Sequence, residues 1–205
     1  MRHLRTLLTS VALLLAGAAG LYRATDRLQA FTTDAAQRIA VRERPVALPD
    51  VELQTQAGAS IRLADLRGRW LLVDFVYTRC PTYCTSLGSE FAQLQAQLAS
   101  PLARHAVGLL SISFDPSHDA PEQLAAYLAR SGRHGTTWLA ARPVRSDGLA
   151  ALMRAFGVTV IPDGLGGYTH NTRIGLVDPQ GRLVDLLDGG DAARTARAVL
   201  ARLGR

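Results

Sequence analysis

The chain has 205 residues, 48% of them apolar and 20% charged, with a formal net charge of +6. That is room for one domain of roughly 150 residues with a real core, plus an N-terminal appendage. All 23 basic residues are arginine, scattered rather than clustered, and aromatics make up only 6%. This excludes a nucleic-acid platform, which needs basic clusters interleaved with aromatic rings. The charge reads instead as compositional bias and solubility, or as a basic surface facing an acidic partner or anionic lipid. Two cysteines are too few for a disulfide scaffold or a four-thiolate zinc site.

Taken in chain order, Arg2 and Arg5 precede Thr6–Tyr22, seventeen residues without a formal charge. That length lies at the lower edge of a membrane-spanning helix and above a usual signal-peptide core. Ala16-Gly17-Ala18 offers a small-x-small cleavage option, but the apolar run continues past it, which favours an uncleaved anchor. With arginines on the cytoplasmic side, the rest is expected on the periplasmic or extracytoplasmic side of the inner membrane, or secreted there if the segment is cleaved. Thiols there need an envelope reductant to stay reduced.

Residues 23–47 read as a tether with a short helix over Thr33–Ile39, and the domain is expected over 48–205. Val51–Leu53 and Ile61–Leu63 flank Gln56-Ala57-Gly58 as a hairpin. Trp70–Tyr77 is an almost unbroken apolar run, the signature of a strand buried on both faces. After Thr78 and Arg79 comes Cys80-Pro81-Thr82-Tyr83-Cys84, and then Leu87, Phe91, Leu94 and Leu98 at helical steps. Pro81 suits a first helical position, and Pro101 predicts a break. Val107–Phe114 is a second buried strand. Asp119 and Glu122 have capping-box spacing before a helix that stops at Ser131-Gly132. A short strand over Thr137–Ala140 and a helix over Gly148–Phe156, stopped by Gly157, follow. Then come a glycine-rich segment from Pro162 to His170, a hairpin of Arg173–Val177 and Arg182–Leu187 turned by Asp178-Pro179-Gln180-Gly181, and a helix over Ala192–Leu203 with Ala196, Val199, Leu200 and Leu203 facing inward. The predicted fold is therefore α/β: a thioredoxin-like mixed sheet flanked by helices, with an N-terminal hairpin extension and a membrane anchor or signal segment.

The cysteine pair carries the chemistry. A strand-to-helix turn exposes the first thiol to the helix N-terminus, which favours thiolate, so Cys80 is expected to be reactive and Cys84 more buried. A disulfide four residues apart closes too short a loop to stabilise much, which argues against a purely structural role. The pair acts as a dithiol or disulfide, or as two ligands of a site completed elsewhere. Asp74 lies inside the apolar strand. If buried, it has a raised pKa and can take a proton; if it faces an edge, Arg69 or Arg79 pairs with it.

Three stretches, DFVYTRCPTYC at the cysteines, LLSISFDPSHDAPEQLAAYL from Leu109 and YTHNTRIGLVDPQGRL from Tyr168, resemble the Sco/SenC family of membrane-anchored, thioredoxin-like proteins linked to copper delivery. The resemblance implies a copper site, Cu(I) or Cu(II), ligated by Cys80, Cys84 and His170. It also implies delivery to a respiratory oxidase subunit or another copper protein, with no nucleic-acid partner. Soft Cu(I) takes thiolates, and an imidazole completes a three-coordinate site that also accepts Cu(II). Thr82, Thr85 and Thr169 stand where the family usually has an acidic residue, a proline and an aspartate. The loss of two carboxylates is expected to make the site less negative and weaker for Cu(II). The enzymatic alternative is a thiol-disulfide oxidoreductase that reduces a partner's metal-site cysteines. Here Cys80 attacks, Cys84 resolves and Asp74 accepts the proton, in the way a buried aspartate serves thioredoxin. A peroxidase would need an arginine beside Cys80, and Arg79 is the local candidate. Asp115 and Asp119 read as turn and cap residues, and His105, His118 and His134 as surface residues.

Overall fold

A computed structural model describes residues 2–79, 83–133, 135–164 and 166–204, those of 83–87 by backbone only. The chain divides into two compact units, Met1–Glu43 and Arg44–Arg205. The first holds α1 (Arg2–Ala24) and α2 (Thr33–Glu43). None of α1 is buried, and it is long and apolar enough to cross a membrane; 23 residues rise about 34 Å, against a hydrocarbon layer of about 30 Å. The second helix starts where predicted and continues beyond Ile39 to Glu43.

The second unit contains β1 (Val46–Ala47), β2 (Glu52–Thr55), β3 (Ser60–Arg62), β4 (Trp70–Val76), α3 (Tyr83–Gln97), α4 (Ala99–Ala103), β5 (Val107–Ser113) and α5 (Pro121–Arg130). It continues through β6 (Trp138–Pro143), α6 (Ser146–Phe156), β7 (Val160–Pro162), β8 (Tyr168–His170), β9 (Arg173–Val177), β10 (Arg182–Asp188) and α7 (Ala192–Leu203). Eight strands form one sheet in the order β1-β10-β9-β4-β5-β6-β2-β3, while β7 and β8 pair apart from it. The centre, β4-β5-β6, is parallel, and every other pairing is antiparallel. This is the predicted thioredoxin-like plan, and β2–β3 is the predicted N-terminal hairpin.

Why β4 and β5 lack polar alternation follows from their position. Central parallel strands are covered on both faces, so both faces must be apolar; every residue of β5 is buried, and so is every residue of β4 after Trp70. On one face Phe91 of α3 and Tyr127 of α5 pack on Trp138, with ring centroids 5.5 and 6.1 Å away. On the other, Phe156 of α6 meets Phe75 edge-on at 5.2 Å. Phe156 fits because the strand beneath it carries Gly175: a Cβ there would stand 2.5 Å from Phe156 Cδ1. Helix α6 ends as predicted at Gly157, which takes the left-handed conformation (φ +63°) that glycine adopts without steric cost.

Two expectations are corrected. The break assigned to Pro101 falls at Leu98, between α3 and α4. Pro101 sits in the first turn of α4, where a missing N–H costs nothing. In α7 the buried stripe is Ala192, Thr195, Ala196 and Val199, whereas Leu200 is 45% exposed. At 100° per residue, Leu200 lies roughly 90° off the axis of that stripe.

Candidate metal centre

The segment between β4 and the cysteines is held by aspartates of the β5–α5 connection. Asp119, fully buried, accepts hydrogen bonds from the Thr78 amide (3.1 Å), the Thr78 hydroxyl (2.6 Å) and the Ser113 hydroxyl (2.6 Å). This corrects its reading as a helix cap. The N-cap of α5 is Ala120, with no side-chain cap, because the Asp119 carboxylate turns inward to the strand ends. Asp115, also buried, receives Arg79 at 2.8 Å and His118 Nδ1 at 2.8 Å. Burial pushes the Asp115 pKa up, but hydrogen bonds from His118, Arg79 and Ser117 outweigh it and leave it lowered. Arg79 is thereby tied to Asp115, the arrangement of a loop anchor. His118, expected at the surface, is half-exposed and part of this cluster.

Cys80 lies outside the described residues, as do Pro81, Thr82 and His134. Cys84 falls in the first turn of α3 by its backbone, with its side chain outside them. Among the described residues no three His, Cys, Asp or Glu side chains gather as a metal cluster. What the described residues do show is where the distant histidine goes. The segment read as a glycine-rich loop is a two-stranded hairpin with His170 opposite Val160. Asn171 closes its base, receiving the Thr159 amide and donating to the Gly157 carbonyl, each at 2.9 Å. The His170 ring packs on Phe114 (5.0 Å) and Tyr77 (6.2 Å), at the C-terminal ends of β5 and β4. Tyr77 is three residues before Cys80 in sequence.

One ring nitrogen is left with a free lone pair. Nδ1 lies 3.2 Å from the Asn171 carbonyl, which can only accept, so Nδ1 carries the proton. Nε2 is then left with a lone pair, and it is buried without a hydrogen-bond partner. Burial holds the His170 pKa below its ordinary value despite the Asn171 contact, which favours the neutral, donor form of the imidazole. An orphaned, buried, neutral nitrogen is the donor a borderline metal ion requires.

Asp74 settles between its two sequence readings in favour of burial. It is wholly inaccessible, neither oxygen has a hydrogen-bond partner, and Arg79 is engaged elsewhere. Its residue faces Ser111 across the β4–β5 register, and Trp138 Nε1 donates to that serine hydroxyl at 3.0 Å. Desolvation raises the Asp74 pKa to about 7; the nearby Ser111 hydroxyl opposes this without closing a hydrogen bond of ordinary geometry, and Glu90 adds to it. Glu90, 4% exposed on α3, is raised as well, first by burial, although one oxygen accepts the Gly190 amide at 2.6 Å. Sequence pattern gave no warning of Tyr77, Glu90 or Asn171, and it gave Asp119 a different role, since each acts through a partner elsewhere in the chain.

A mixed sheet with a parallel β4-β5-β6 centre and helices on both faces defines a protein of the thioredoxin-like class. The chain belongs to the SCO1/SenC family, whose model matches residues 41–205. A Stutzerimonas stutzeri protein named for copper binding is 33% identical over 148 residues, covering 69% of this chain and 68% of that one. Arabidopsis thaliana ScoI, solved with copper bound, has a TM-score of 0.67 at 17% identity over 78% of this chain and 99% of its own. BsSco, a member of the Sco family of cytochrome c oxidase assembly proteins in which a disulfide switch was identified, has a TM-score of 0.66 at 23% identity, covering 77% of this chain and 94% of its own. The structural likenesses establish the fold.

Proposed function

We propose that this protein is an envelope copper chaperone that carries copper, as Cu(I) or Cu(II), on the Cys80 and Cys84 thiolates and the His170 imidazole, and delivers it to a respiratory oxidase. The observation that carries the reading is the His170 ring: proton on Nδ1, Nε2 buried and unpartnered, beside the strand end that leads into Cys80. Two soft sulfurs and one nitrogen suit Cu(I), and the nitrogen extends the site to Cu(II). Copper is the cargo here, and the names of the relatives are in keeping with it. Residues 1–22 anchor the chain in the inner membrane, 23–47 tether it, and 48–205 form the periplasmic domain. The length and exposure of α1, with Arg2 and Arg5 before its apolar stretch, support that arrangement.

A second reading, thiol-disulfide exchange with a partner's metal-site cysteines, is favoured by Asp74 alone. The Cys80 thiolate attacks a partner disulfide and releases one partner thiolate. Cys84 then gives its proton to the Asp74 carboxylate and attacks the Cys80 sulfur, releasing the second thiolate. The partner leaves as a dithiol, and an envelope thiol reductant regenerates Cys80 and Cys84. A carboxyl with a pKa near 7 can accept that proton and return it at neutral pH.

One pair of variants separates the two. Copper titration of the reduced protein is expected to show weakened binding in His170→Ala and near-normal binding in Asp74→Asn, with the reverse ranking in a reductase assay. Unchanged copper stoichiometry and affinity in His170→Ala would overturn the copper reading.

A further inference from the structure

His170 stands on a hairpin outside the main sheet, so something must hold that hairpin in place. One hydroxyl spans the gap. The Tyr77 hydroxyl donates to the Tyr168 carbonyl and accepts from the Tyr168 amide, each at 3.2 Å, across 91 residues of chain. A phenolic hydroxyl is one of the few side-chain groups able to serve as donor and acceptor at once. It thus satisfies both backbone groups of one residue of a short strand, groups that would be costly to leave unpaired beneath packed rings. The rings complete the joint: Tyr77 and Tyr168 meet edge to face at 5.2 Å, and Phe114 packs on both, at 5.2 and 5.6 Å.

Tyr77 is also the first residue after β4, and Thr78, two residues before Cys80, is held by Asp119. The main chain of Tyr77 therefore leads into the cysteine turn while its side chain grips the strand that ends in His170. We propose that Tyr77 is a positioning residue: its hydroxyl latches the β7–β8 hairpin to the end of β4 and so fixes where the His170 imidazole lies relative to that strand end. The inference rests on the copper reading only for its consequence, since the latch itself is made by protein groups alone. Asn171 fixes the base of the hairpin and the direction of the ring nitrogens; Tyr77 fixes where the hairpin lies.

The test uses the full chain in detergent, reduced, with Tyr77→Phe, which keeps the ring contacts and removes only the hydroxyl. Two readouts are taken. In the metal-free protein, exchange of the Tyr168 amide is expected to accelerate on the order of tenfold, the factor that one net hydrogen bond supports. With Cu(II) added, affinity is expected to fall by a similar factor, and the fraction of copper showing nitrogen hyperfine coupling is expected to drop, whereas His170→Ala removes that coupling. Phe114→Leu loosens the same ring cluster without touching the hydroxyl; it should lower the unfolding midpoint but leave the Tyr168 amide slow to exchange. Unchanged exchange in Tyr77→Phe overturns the latch. So does faster exchange with wild-type nitrogen coupling, provided His170→Ala abolishes that coupling. If His170→Ala leaves copper coordination intact, the copper reading fails, and the exchange rate alone decides whether Tyr77 latches the hairpin.

Discussion

Asp119 and Thr78 lie 41 residues apart, yet the carboxylate of one accepts both the amide and the hydroxyl of the other in a fully buried setting. That contact ties the β5–α5 connection to Thr78, two residues before Cys80 in sequence. Asp119→Ala leaves the Thr78 amide, the Thr78 hydroxyl and the Ser113 hydroxyl without their acceptor. Buried donors of this kind cost about 1–3 kcal/mol each. The expected result is a loss of at least about 2 kcal/mol of stability in urea unfolding. A variant as stable as the wild type would show the contact to be dispensable.

Asp74 makes stability depend on pH. Its folded pKa of about 7 lies above the ordinary value of 3.8, so the native state holds a proton that the unfolded chain has released. Stability therefore falls as pH rises from about 4 to about 7, at up to about 1.4 kcal/mol per unit, or about 4 kcal/mol in all. Glu90, also raised, adds a slope of the same sign. His170, whose pKa is lowered, acts oppositely: its contribution is present above its unfolded value and is lost as pH falls. Urea midpoints at pH 5 and pH 8 are expected to differ far less in Asp74→Asn than in the wild type. Equal pH dependence in the two proteins would remove Asp74 as the cause.

The His170 tautomer can be read directly. The Asn171 carbonyl accepts from Nδ1, so ring nitrogen-15 shifts in the metal-free protein should report a neutral imidazole protonated at Nδ1. The same spectra should show titration below the usual histidine range, in keeping with its burial. A ring protonated at Nε2 would contradict the geometry.

Gly175→Ala tests the packing beneath α6. The new methyl would stand within 2.5 Å of the Phe156 ring and 3.1 Å of Leu183, and Phe156 is itself clamped by Phe75. Overpacking a fixed ring is expected to cost about 1–3 kcal/mol. Differential scanning calorimetry should show a matching fall in the unfolding temperature.

Sequence by itself determined the elements whose signals are local. The unbroken apolar runs of β4 and β5 announced strands covered on both faces, the helical spacing after Cys84 announced α3, and Gly157 announced the end of α6. The three motifs announced the family. Only the tertiary structure decided what depends on distant neighbours. Whether Asp74 was buried or paired turned on which face of β4 the helices covered and on Arg79 finding Asp115 instead. Asp119 had the spacing of a cap, but the open acceptor need at Thr78 and Ser113 drew its carboxylate inward. The glycine-rich stretch lacked strand periodicity because its pairing is short and its outer edge is satisfied by a single tyrosine hydroxyl from another part of the chain. Apolar period is written along the backbone; the partner of a buried polar group is chosen by the fold.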